Sequence, residues 1–183
     1  ATLKKSLDML GGYNSDTAEE IRQNEEKVDH YEDILGTYLV KLSGYQISDS
    51  DSSCVSKLLK AIGDFERISD HSINILESAE EIRDKSITFT DTAKRDLKTL
   101  CGAVSEILSI SKEAFINDDL TAAYNVEPLE QVIDDLKAKL RNEHIIRLKS
   151  GKCSIEAGFV WADLLTNLER TADHCSNIAV CII

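Results

Sequence analysis

Apolar residues recur at intervals of three and four along almost the whole chain, and strict alternation is absent. That spacing predicts helices and no sheet. A short helix is expected over 2–10, stopped at Gly11-Gly12, and a second over 17–42, where Thr17 and Glu20 have capping-box spacing. The polar stretch YQISDSDSS breaks the pattern before a third helix over 53–83. DKSITFTD precedes a fourth over 91–115, and INDD precedes a fifth over 120–148. Pro128 lies inside the fifth pattern, where it would crowd the carbonyl of Tyr124, so a kink or late start is expected there. KSGKCS separates this helix from a sixth over 155–183.

The six helices fall into two similar sets of three. FERISDHSINIL and LERTADHCSNIAV repeat one phrase about a hundred residues apart. Each half carries two Glu-x-x-x-Asp pairs: Glu25/Asp29 and Glu66/Asp70, then Glu130/Asp134 and Glu169/Asp173. The fold expected is all-α, two tandem three-helix bundles of antiparallel helices over 1–86 and 87–183, the first helix being short.

In a helix, residues i and i+4 point the same way, so each pair sets two like charges together. At about 100° per residue, Val55, Leu59, Ile62 and Ile73 lie within roughly 40° of Glu66. The acids therefore border the stripe that faces the neighbouring helix, where a carboxylate must be paired, protonated or metal-bound. The midpoint between Asp29 and Glu66 falls in YQISDSDSS, and that between Asp134 and Glu169 in KSGKCS. An antiparallel hairpin in each half thus brings its four acids level, an oxygen-rich cation site. Carboxylates suit iron, manganese, zinc, magnesium or calcium, with His71 and His174 as edge or outer-sphere groups that tilt the choice to iron or zinc. The competing reading is a solvated acidic face on a metal-free helical adaptor.

Composition narrows the function. A net charge of −12 argues against nucleic acid as a partner. Five cysteines with no C-x-x-C give neither a zinc ribbon nor a disulfide framework. No histidine has a Glu three residues before it, which disfavours a di-iron oxidase. No Gly-rich phosphate loop is present, and no catalytic constellation; the chain is read as a non-enzyme. No apolar run approaches the roughly 18 residues of a membrane span, and no signal peptide is expected. Ala1 falls inside a helical pattern, from which a longer polypeptide is expected. With the first helix short, Leu7 and Leu10 are expected to be poorly covered and to drive dimer contacts.

FERISDH and LERTADH, with NEEKVD and LEQVIDD, resemble the PhoU domain, and the match covers nearly the whole chain. CSIEAGFVWADLLTNLERTADHCSNIA is similar to the C-terminal PhoU-type domain of bacterial sodium/phosphate cotransporter proteins. The resemblance implies two three-helix bundles with metal ions at the Glu/Asp-x-x-x-Asp motifs. It also implies a regulatory role in phosphate uptake at the cytoplasmic face, with a membrane transporter as partner, or else a stand-alone PhoU-type regulator. Pro128 and the second acid Asp135 depart from the pattern and make the second-half site the weaker match.

Overall fold

The computed structural model describes residues 2–183. Among these, seven helices and no strands occur: α1 Thr2–Met9, α2 Ser15–Ser43, α3 Asp49–Asp84, α4 Asp91–Asn117, α5 Leu120–Tyr124, α6 Val126–Lys149 and α7 Ile155–Val180. The all-helical expectation holds. α1 to α3 pack together, α4 packs on α5, α6 and α7, and α3 lies against α7 to join the two sets.

Polar side chains start the helices by accepting otherwise unpaired backbone N–H groups. Asn14 Oδ1 accepts from Thr17 N at 2.8 Å and Ser48 Oγ from Asp51 N at 3.1 Å. Thr90, Asp119 and Ser154 cap α4, α5 and α7 likewise. The capping box assigned to Thr17 and Glu20 is therefore corrected: Asn14 is the cap, Thr17 lies in the first turn, and Glu20 pairs with Lys5. The break expected at Pro128 falls earlier, at Asn125. Pro128 then sits in the first turn of α6, where its missing N–H costs nothing.

The core is not divided between the halves. One cluster runs from Leu3, Leu7, Ile68 and Ile75 to Leu100, Ile107, Ile133, Leu164 and Leu168. Trp161, 1% exposed, is its largest side chain and packs edge-on against Phe89 with ring centroids 5.2 Å apart. Each such large apolar residue contributes about 1.5–3 kcal/mol by leaving water. A smaller cluster of Met9, Ala18, Ile21, Leu76 and Ala79 seats α1 and the start of α2 on the end of α3. The expectation of bare residues on α1 is corrected: Leu7 is buried and Leu10 half-buried. Exposed apolar residues of the first half lie on α2 instead, among them Tyr31, Leu35 and Tyr38. Among the described residues no helix is long and apolar enough to cross a membrane.

Candidate metal centre

α2 and α3 form one antiparallel hairpin, α6 and α7 the other. Near the start of α2, Arg22 Nη2 donates to Glu80 Oε2 at 2.7 Å and the Tyr13 hydroxyl to Glu80 Oε1 at 3.1 Å, fixing the register. Asp70 then stands close enough to Glu25 to raise its pKa, after burial, with Asp29 adding to the effect. Glu66 is raised by burial and by Asp70, while Arg67 opposes the shift. Arg67 lies along both acids, its Nε 3.5 Å from Glu66 Oε2 and its Nη1 3.4 Å from Asp70 Oδ2. This first quartet shares a face but stays open: no three of its ligand oxygens converge tightly enough to hold one ion together.

The second quartet is tighter. Ligand oxygens of Glu130, Asp134 and Asp173 all lie within 4.8 Å of one another. Oxygens bound to one cation at roughly 2.0–2.6 Å stand at most about twice that apart, so the trio fits a hard or borderline ion. Burial raises the pKa of Glu130, with Asp134 and Asp173 adding to it; burial, Glu169 and Asp134 raise that of Asp173. Asp134 Oδ1 is buried with no hydrogen-bond partner, and so is Glu169 Oε2. Orphaned carboxylate oxygens beside like charges are an arrangement that a cation relieves. Glu169 does not join the trio, because its Oε1 is held by Lys137 Nζ at 2.6 Å. The ranking of the halves is thus reversed: the second half, interrupted by Pro128, carries the closer cluster, since the proline sits in the first turn and leaves the helix intact through Glu130 and Asp134.

The two histidines serve another place. His71 Nδ1 is 2.9 Å from Asn167 Oδ1, and His174 Nδ1 is 2.8 Å from Asp64 Oδ1, so each reaches across from α3 to α7 or back. Their rings face each other with centroids 5.5 Å apart. Burial lowers the pKa of His71 despite the bond to Asn167, and the neighbouring His174 adds to the lowering. Through these Nδ1 atoms both rings also hold the seam between the bundles. Sequence reasoning missed Asp64 and Lys137. Both carry a signal: Asp64 falls on the apolar stripe Ala61, Ile68, Ile75, and Lys137 is on the helix face of Glu130 and Asp134.

A family profile for the PhoU domain matches residues 1–79 and 97–182, both halves of the fold. The chain belongs to the PhoU family. Among relatives, it is 25% identical over 183 residues to phosphate-specific transport system accessory protein PhoU homolog 1 of Thermotoga maritima, covering 97% of this chain and 76% of that protein. It is 22% identical over 180 residues to the PhoU homolog of Deinococcus radiodurans, covering 97% and 78%. Its fold is similar to that of PhoU from Pseudomonas aeruginosa, with a TM-score of 0.89 at 20% identity, covering 100% of this chain and 87% of that one. For PhoU from Streptococcus pneumoniae, described as a phosphate transport system regulatory protein, the TM-score is 0.85 at 21% identity over 99% of this chain and 84% of that one. The PhoU relationship runs through both acid-bearing hairpins.

Proposed function

We propose that this PhoU-family chain is a non-catalytic regulator of phosphate uptake that acts at the cytoplasmic face of a membrane transporter. The observation that carries the reading is the family match over both halves, with relatives named as phosphate-specific transport accessory proteins. Those relatives favour a stand-alone accessory regulator over a domain fused to a sodium/phosphate cotransporter. The test is [32P]orthophosphate uptake in cells with and without the gene at high external phosphate. Loss of the usual repression of uptake supports the proposal; unchanged uptake and no recovery with transporter-containing membranes overturns it. Self-association is part of this reading, and sedimentation equilibrium showing a strict monomer removes it.

Metal binding is the second part of the proposal. Glu130, Asp134 and Asp173 would hold a divalent or trivalent ion, iron or zinc before manganese, magnesium or calcium, with Glu169 joining if Lys137 withdraws. Glu25, Asp29, Glu66 and Asp70 form a looser site that must close to bind. A bound ion supplies positive charge that offsets the carboxylate repulsion and ties α6 to α7. Metal content of wild type against the Asp70→Ala/Asp173→Ala double variant decides: full metal in the variant, or none in either protein, leaves only a solvated acidic face.

A further inference from the structure

A cleft of about 750 Å³ opens between the two bundles, bounded by α1, the end of α3, the α3–α4 connection and α4. It shares no residue with the carboxylate sites. Its floor is apolar: Leu7 and Leu10 from the first bundle, Ile82 from the end of α3, Ile87 and Phe89 from the α3–α4 connection, Leu97 from α4. Its rim is basic. Lys4, Lys94 and Lys98 line it, all exposed, against the single acid Asp8. None of the three ammonium groups makes an ion pair within 4.0 Å among the described residues, although the chain as a whole carries a net charge of −12. Three unpaired positive charges set around an apolar trough run against the charge of the molecule. The volume lies in the ordinary range for small-molecule sites, which combine an apolar lining with a few charged groups at the mouth.

Gly102 of α4 also lines the cleft, and a Cβ built there meets nothing within 4 Å, so the space beside it is open. The Cys101 thiol, also in the lining, is pushed up to about 12 by burial, which keeps it protonated and makes it an apolar surface rather than a nucleophile.

We infer that this cleft binds a single-chain amphiphile with an anionic head, an alkyl or acyl chain carrying a phosphate or carboxylate. The chain lies on the Leu7–Phe89–Leu97 floor and the head meets Lys94, Lys98 and Lys4. The charge pattern selects the head, and the apolar lining selects the chain. A free inorganic anion would find the lysines but leave the floor empty; an uncharged alkyl chain would fill the floor and leave the lysines unsatisfied.

Trp161, the one tryptophan, reports on the cleft because Phe89 packs against it and lines the floor. The experiment titrates the protein with dodecyl phosphate, dodecanoate, dodecanol and inorganic phosphate, each amphiphile below its micelle concentration, and follows tryptophan emission and binding heat. Dodecyl phosphate and dodecanoate should saturate a single site, with dodecanol and inorganic phosphate each at least about tenfold weaker. Two variants locate the site. Gly102→Leu should abolish binding by filling the trough, and its open surroundings leave the fold unstrained. Lys94→Ser/Lys98→Ser should weaken the two anionic amphiphiles about tenfold or more while leaving dodecanol unchanged. Inorganic phosphate binding as tightly as dodecyl phosphate, an unaltered titration in Gly102→Leu, or no saturable signal from any amphiphile overturns the inference.

Discussion

Replacing Asp173 by Asn should move stability in opposite directions with and without metal. Asp173 shares a space of 4.8 Å with Glu130 and Asp134. Two unit charges at that separation repel by about 3.5 kcal/mol at an effective dielectric of about 20, and by roughly 1 kcal/mol in bulk water. The Asp173 side chain is 35% exposed, so the lower end applies, and Arg170 at 3.9 Å offsets a little more. Neutralising it removes two such interactions and should stabilise the metal-free protein by about 1–2 kcal/mol. For a chain of this size that is a rise of roughly 3–6 °C in Tm. With metal the sign inverts. A ligand at 100 times its Kd adds about 2.7 kcal/mol to the wild type, and the variant, with a neutral amide in place of one of the three converging carboxylates, should lose most of that gain. Thermal melts by circular dichroism at pH 7, in chelator and then with excess zinc or ferrous iron, read both arms. A variant that melts below wild type in chelator refutes the repulsion argument. One that keeps the full metal-induced rise refutes the ligand assignment.

Four further outcomes are expected. Glu25, Glu66, Glu130 and Asp173 all have raised folded-state pKa values, so the folded metal-free protein holds more protons than the unfolded chain as these groups titrate. Their contribution to stability falls as pH rises through that range, whereas His71 and His144, whose pKa values are lowered, contribute in the opposite sense; the gap in melting temperature between wild type and Glu130→Gln/Asp173→Asn in chelator should therefore narrow as pH falls from 7 to 4, and a gap that does not change with pH contradicts the cluster. Asp64→Ala should destabilise by about 2–3 kcal/mol in urea titrations, since Asp64 is 7% exposed and its Oδ1 accepts from both His174 and Asn177; a loss under about 0.5 kcal/mol would show the seam does not depend on it. Gly63→Ala, where an added Cβ meets nothing within 4 Å, should stabilise by about 0.5–1 kcal/mol. Gly158→Ala should gain less or lose, because its Cβ would come within 3.2 Å of His144 Nε2; equal gains at both sites would show that His144 moves freely.

Helix existence and pairing were legible because they depend on local periodicity and on polar breaks, and both survive in the packed molecule. The register of each hairpin was legible for the same reason: loop position fixes which residues stand opposite. What periodicity cannot carry is the turn of a helix about its own axis against a third neighbour. His71 and His174 follow the acids by one residue, about 100° round, and sequence spacing alone could not tell an outer-sphere position from a seam between bundles. That seam exists only once α3 meets α7, a contact between residues about a hundred positions apart. The trio of Glu130, Asp134 and Asp173 was legible as part of a quartet. The withdrawal of Glu169 to Lys137 was not read, although Lys137 lies on the same helix face as Glu130 and Asp134. Pro128 misled in the other direction, because its effect depends on whether a helix starts before or after it.

Asp70 and His71 are consecutive, as are Asp173 and His174, so each long helix turns a carboxylate toward the acids of one neighbour while the next residue's imidazole grips another. A helix is stiff along its length but can roll. Any roll of α7 that draws Asp173 toward a cation swings His174 through the same angle against Asp64, and α3 is geared likewise through His71 and Asn167. The facing imidazoles, 5.5 Å apart at the meeting of both gears, are where the two halves would feel each other's load. Ring-proton shifts of His71 and His174 during a metal titration would trace that motion, and rings that stay fixed while the carboxylates fill would mean the shafts do not turn.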